Sequence, residues 1–233
     1  MIGRDDPGVR LRASAKRFIK WGAKMRRIGV IFVACLLVTS VVAAERSTPF
    51  DSPIAGFHVV KPAGRSFLTA DQNAAAVKGL QLSDKELQEV MEKYATAPLV
   101  AMTKYPEPFD DVNPSFKVNI KPFGPFKGKD AKEIAAAILP ILQRALKDVE
   151  VVQPASDITV SGLKGAYMRM NYTAQMEGRQ VAGTSELWIV PRGDYFFMMG
   201  AGTRPDEKTG TRAEIQKIVA TVRIDPSPAA PKP

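Results

Sequence analysis

One cysteine and one histidine occur in 233 residues, and each scarcity removes a class of chemistry. Cys35 lies inside an apolar run near the start, so the chain beyond it has no thiol for a disulfide, an iron–sulfur cluster or nucleophilic catalysis. Burial of apolar surface must then hold the core on its own. His58 is the sole imidazole. His-pair metal sites are excluded, and any serine triad would run through one residue at the start of a strand, with no partner nearby in sequence. No catalytic residue, metal or cofactor is therefore assigned.

A real excess of basic charge is also missing. Residues 1–44 carry 9 of the 33 Lys and Arg and 2 of the 24 Asp and Glu, leaving 24 basic against 22 acidic residues and a net charge of +2 instead of +9. Nucleic-acid binding needs a clustered basic surface, so that class falls away.

What is present begins with a leader. Arg26 and Arg27 precede an apolar run of 17 residues from Ile28 to Ala44, which ends in Val42-Ala43-Ala44 before Glu45. This pattern reads as a secretory signal at 25–44, cleaved after Ala44, and implies a periplasmic or secreted protein. The alternative is an uncleaved helix anchoring the chain in the inner membrane through residues 28–44, with the same outward orientation. Cys35 after Phe32-Val33-Ala34 makes a poor lipoprotein site, because the chain stays apolar beyond it. Residues 1–24 are a basic extension without apolar periodicity, and a start at Met25 would remove them.

Residues 45–55 are polar and Pro-containing and read as a linker. The tail at 225–233 has four prolines in nine residues and reads as disordered. A single domain is expected over 56–224. Three capping boxes predict helices: Ser83 to Glu86, ahead of a stripe of Leu87, Val90, Met91 and Tyr94; Asp130 to Glu133, opening a helix to 148 with Ile134, Ile138, Ile141, Leu142 and Ala145 on one face and Pro140 inside; and Thr211 to Glu214, ahead of Ile215, Ile218, Val219 and Val222. A shorter helix is expected over 70–78. Strands are predicted at Phe57 to Val60, at Leu99 to Thr103, and where Phe116, Val118 and Ile120 interleave with Lys117, Asn119 and Lys121. GAYMRMNYTAQ, VAGTSELWIV and YFFMMGA, separated by turns at Glu177-Gly178 and Arg192-Gly193-Asp194, predict a three-stranded antiparallel meander. The fold class is α/β in the α+β sense, an antiparallel sheet with helices packed on it.

The strand FHVVKPAG, the long helix from 130, the paired hairpins GLKGAYMRMNYTAQMEGRQVAGTSELWIVPRGDYFFMMGAGT and a final helix ending ATVRI resemble the PsbP-like fold group. That group includes photosystem extrinsic subunits, a Ran-release factor and bacterial periplasmic domains of unknown role. The resemblance covers most of 57–224 and implies a PsbP-like sandwich. It carries over no functional residue, and Arg65 stands where such domains often have tryptophan.

Among local motifs, Gly124 to Asp130 fails as a phosphate loop, because its glycines are one residue too close and Asp130 replaces the magnesium-binding Ser or Thr; it reads as a turn plus an N-cap. Gly200-Ala201-Gly202 lacks the third glycine of a nucleotide loop and reads as a strand end. Met168, Met170, Met198 and Met199 fall on neighbouring strands and could hold Cu(I), but alternation places the first two on the apolar face with Tyr172, as core packing does. Arg169 and Glu186 lie on the polar sides of neighbouring strands and read most simply as a cross-strand ion pair, worth a fraction of a kcal/mol if exposed. The loop KYPEPFDDVNPSF offers the candidate partner surface: Tyr105, Glu107, Phe109, Asp110 and Asp111, with stiff prolines and exposed rings that lower the entropic cost of contact. The simplest competing role is a structured connection capping the sheet. The reading is a non-catalytic binding or assembly-support domain with an envelope protein as partner. Its rivals are a carboxylate hydrolase acting on envelope glycans, which needs a cleft with two facing carboxylates, and a small-ligand carrier, which needs an enclosed pocket between sheet and helices.

Overall fold

Strict apolar–polar alternation from residue 115 onward produces long strands. The computed structural model describes residues 46–73, 80–81, 98–176 and 178–226. The expected leader at 25–44, the helix from Ser83 and most of the helix at 70–78 lie outside them. The elements are β1 (Thr48–Ser52), β2 (Phe57–Lys61), β3 (Ser66–Phe67), β4 (Leu80–Gln81), β5 (Val100–Thr103), β6 (Ser115–Pro122), α1 (Ala131–Ala145), β7 (Lys147–Val160), β8 (Leu163–Met176), β9 (Arg179–Arg192), β10 (Tyr195–Thr203), α2 (Arg212–Val219) and β11 (Arg223–Ile224). Eight strands form one sheet in the order β3-β5-β6-β10-β9-β8, with β8 pairing both β7 and β4 along its outer edge. All of these pairs are antiparallel.

The predicted meander forms as read, with Tyr167 opposite Trp188 and Met199 opposite Trp188 on the far side. Its last turn places Gly193 at φ +59° in a two-residue loop, a backbone that a glycine adopts without steric cost. Three features differ from expectation. The segment read as a linker contains β1, which joins β2 and β11 in a second, three-stranded sheet. The helix from Asp130 stops at Ala145 instead of 148, because β7 starts at Lys147. Strand β7 itself was not anticipated: it is an edge strand with register shifts around Pro154, the setting in which a strand tolerates a missing N–H.

The large sheet has two covered faces. On the first, Phe116, Val118, Tyr167, Trp188, Val190, Phe197 and Met199 pack against Phe57 and Val59 of β2 and Ile215 and Ile218 of α2. Phe57 is wholly buried and lies 5.1 Å from Phe197, ring to ring; burying such a side chain contributes about 1.5–3 kcal/mol. On the second, Met168, Met170, Leu187, Ile189 and Phe196 pack under Ile134 and Ala135 of α1. Helix α1 starts with the predicted capping box: Asp130 Oδ1 accepts from Glu133 N and Glu133 Oε2 from Asp130 N, both at 2.8 Å. At α2 only half of the box forms. Thr211 Oγ1 accepts from Glu214 N at 3.2 Å, but the Glu214 carboxylate turns away to Lys104 Nζ at 2.9 Å and Arg65 Nη2 at 3.3 Å. Arg65 is 4% exposed and also donates to Pro114 O at 2.8 Å, so it ties the chain just before β3 to α2 and to the end of the 104–114 loop. Among the described residues, no helix is long and apolar enough to cross a membrane.

Candidate functional site

Among the described residues, helix α1 covers the second face of the large sheet only as far as Met170 and Leu187. Beyond that line the strands continue, and several positions on this face, Ser115, Ala174, Gly200 and Gly202, carry small side chains or none. On β10, Gly200 stands opposite Lys117 and Gly202 opposite Ser115 of β6. On β9, Gly183 stands opposite Tyr172 of β8. A Cβ at residue 183 would lie 2.6 Å from Tyr172 Cζ, so the tyrosine ring occupies the space that glycine leaves. The result is a notch in the sheet, roofed by the 104–114 loop. It forms a partly open cleft of about 420 Å³, lined by Tyr172, Ala174, Met176, Gly202, Ser115 and Lys117 from the sheet, by Leu68 and Gln72, by Arg179, and by residues 107–113 of the loop. The volume and the mostly apolar lining are those of a small-molecule site.

The roof is built by its own hydrogen bonds. Asn113 is the hub: its Oδ1 accepts from Tyr105 N at 3.0 Å, and its Nδ2 donates to Tyr105 O at 2.9 Å and to Glu107 Oε1 at 2.8 Å. Glu107 Oε2 accepts from Phe109 N at 3.0 Å. The Tyr105 and Phe109 rings stack at 4.5 Å, and Tyr105 Oη donates to Thr209 O at 2.8 Å. Asp111 accepts two bonds from Arg204 Nη1, at 2.9 and 3.1 Å. Arg204 also grips Asp206 through Nε and Nη2, both at 2.8 Å, which drives its own proton affinity up and holds the Asp206 carboxyl well below the usual range. Asp110 is exposed and pairs with Arg179 at 3.3 Å. The Glu107–Pro108 peptide bond is cis.

Of the five residues predicted as a surface, Glu107, Phe109, Asp110 and Asp111 line the cleft, whereas Tyr105 stands behind them and buttresses Phe109. Lys117 and Tyr172 were read differently, as a residue of a wet face and as core. In the structure both are half-buried cleft residues. Burial lowers the Lys117 ammonium's pKa, opposed by the Glu107 carboxylate, and burial raises that of the Tyr172 phenol. Three glycines in strand interiors were the available sequence signal.

Elsewhere, the expected Arg169–Glu186 ion pair is corrected. The two residues are opposite in register, but Glu186 is only 1% exposed. Its Oε2 accepts from Arg212 Nε at 3.1 Å, from Gln216 Nε2 at 2.9 Å and from Tyr167 Oη. Glu186 Oε1 and Arg169 Nε are buried without partners. Burial, with the Glu186 bond second, pushes the Tyr167 phenol up to about 12. His58 lies between two carboxylates, Asp51 Oδ1 at 2.8 Å and Asp225 Oδ2 at 3.3 Å, whose hydrogen bonds raise its pKa. The methionines divide: Met168, Met170 and Met198 pack on the α1 side and Met199 in the opposite core. Residues Gly124–Phe126 form a 3-10 turn before the Asp130 cap. Among the described residues, no group of three or more His, Cys, Asp or Glu side chains is arranged to hold a metal ion.

No protein-family model matches the chain, and no curated protein matches it by sequence. Solved structures do. The chain is similar to LpqN of Mycobacterium tuberculosis, involved in cell envelope biogenesis, at 14% identity and TM-score 0.36 over 78% of this chain and 91% of that one. It is similar to PA94 of Pseudomonas aeruginosa, a protein of unknown function, at 13% identity and TM-score 0.41 over 79% and 99%. At such identities the likeness assigns no residue a role. The chain is likewise similar to cyanobacterial PsbP (CyanoP) of Synechocystis sp. PCC 6803, at 12% identity and TM-score 0.47, over 80% of this chain and 96% of that one.

Proposed function

We propose that this chain is an exported, non-catalytic binding domain that holds a small ligand in the cleft between the 104–114 loop and the end of the large sheet beyond α1. The signal-like leader supports export to the periplasm or beyond. One observation carries the binding reading: among the described residues, Gly202 and the small side chains of Ser115 and Ala174 keep the sheet surface low at the place where a hydrogen-bonded loop roofs it. A loop that served only as a connection would close onto the sheet instead of leaving about 420 Å³ open.

The hydrolase reading is the weaker one, because the cleft carboxylates already have donors. Glu107 is held by Asn113 and the Phe109 amide, Asp111 by Arg204, and Asp110 by Arg179. The surface residues Tyr105, Glu107, Phe109, Asp110 and Asp111 become the roof and its support, and an envelope protein could receive or deliver the ligand over it. Native mass spectrometry of the processed protein, isolated from its own envelope, tests the reading. Wild type should carry a non-covalent small-molecule adduct that denaturation releases, and Gly202→Leu should lose it. Adduct-free wild type, or an adduct equally retained by Gly202→Leu, contradicts it.

A further inference from the structure

Lys117 projects its ammonium from the sheet among Ser115, Tyr172, Ala174, Met176 and Gly202. Its strand neighbours Phe116 and Val118 are fully buried on the other face, and its cross-strand partner Gly200 offers no side chain to shield or pair with it. Among the described residues, no carboxylate lies within ion-pair distance of its Nζ, although the other charged groups of the cleft are satisfied. Arg179 pairs with Asp110, and Arg204, behind the wall, pairs with Asp111. Glu107 acts on Lys117 only through space, its two oxygens being taken by Asn113 and the Phe109 amide. A half-buried ammonium whose counter-charge makes no direct contact is costly, and the cost is recovered when an anion enters beside it.

Resting on the cleft reading above, we infer that the ligand is a free amphipathic carboxylate: an apolar chain lying over Ala174, Met176 and Gly202 beneath Phe109, with its head group on Lys117 Nζ. Both requirements come from the same cleft. The apolar lining selects a hydrocarbon body, and the one cleft cation without an ion pair among the described residues selects one negative charge. A cationic amphiphile would meet Lys117 as a like charge, and a neutral one would leave its ammonium unpaired.

Isothermal titration of the processed protein with decanoate, decanol and decylammonium tests this, using wild type, Lys117→Met and Gly202→Leu, each shown folded by its thermal melt. Wild type should bind decanoate at one site and more tightly than decanol, with decylammonium weakest. Lys117→Met should weaken decanoate about tenfold or more, as loss of one charge-assisted hydrogen bond implies, and leave decanol unchanged or tighter. Gly202→Leu should weaken both. Equal binding of decanoate and decanol, insensitive to Lys117→Met but blocked by Gly202→Leu, overturns the anion inference and keeps the cleft. Preference for decylammonium overturns the sign of the charge. Binding of none of the three, or binding indifferent to Gly202→Leu, overturns the cleft and the inference together.

Discussion

Replacing Arg212 by methionine should destabilise the protein more than replacing Glu186 by glutamine, although Glu186 is the buried member of the pair. Glu186 is 1% exposed and the Arg212 side chain 40%. Without Arg212, the carboxylate keeps only Tyr167 Oη and Gln216 Nε2 and is left in the core without a cation. Breaking a fully buried pair in this way costs about 3–5 kcal/mol. Water can reach the half-open Arg212 position, which brings the expected loss to about 2 kcal/mol. Glutamine at 186 can keep its carbonyl where Oε2 now accepts three bonds and place its NH₂ where Oε1 has no partner. That exchange costs about 1 kcal/mol. Urea unfolding of both single variants and the double variant gives the two losses and their coupling energy. A spectrophotometric titration adds an independent reading: Tyr167 should ionise near 12 in wild type and higher still in Arg212→Met, since Arg212 favours the phenolate. Because this pKa is raised, the phenol's stabilising contribution is intact below about 10 and is lost as pH climbs toward 12. An Arg212→Met loss no larger than that of Glu186→Gln would refute the argument.

Asp130→Ala removes the α1 cap and should cost about 1 kcal/mol, read as a lower melting temperature, with Asp130→Asn recovering most of it. Gly183→Val places a side chain where the Tyr172 ring lies and should destabilise by about 1–3 kcal/mol while changing Tyr172 fluorescence; an unaltered melt would show that the ring is free to leave. His58 should titrate above the 6.5 of a free imidazole in a proton NMR series. Its stabilising contact is complete below 6.5 and disappears as pH rises through the raised value. Asp51→Asn should bring the titration back down, and an unchanged midpoint would contradict the clamp.

The meander and both described helices were legible because each is specified locally. Period-two alternation runs through GAYMRMNYTAQ, turn dipeptides fall between strands, and Asp130 and Thr211 mark the helix starts. Strand β7 was hidden by Pro154 and by bulges that shift its register, although Ser161 and Gly162, both at positive φ, carry the hairpin turn that closes it onto β8. β1 and β11 are five and two residues long, and only pairing with β2 makes them strands. The loop residues of the cleft were found by composition. Its floor was not, because a notch consists of missing side chains, here on β9 and β10, and Lys117 reads as a solvent-facing residue until the loop is seen above it. Glu186 was misplaced for a related reason: alternation gives its face, but only the position of α2 shows that this face is covered.

Methyl-labelled methionine NMR during a decanoate titration bears most directly on whether the end of the sheet beyond α1 is a binding site. Met176 lines the cleft, whereas Met168 and Met170 lie sealed beneath α1. The Met176 resonance should shift saturably while those of Met168 and Met170 stay fixed. A still Met176, or shifts that spread equally to the two methionines under the helix, would place the ligand elsewhere.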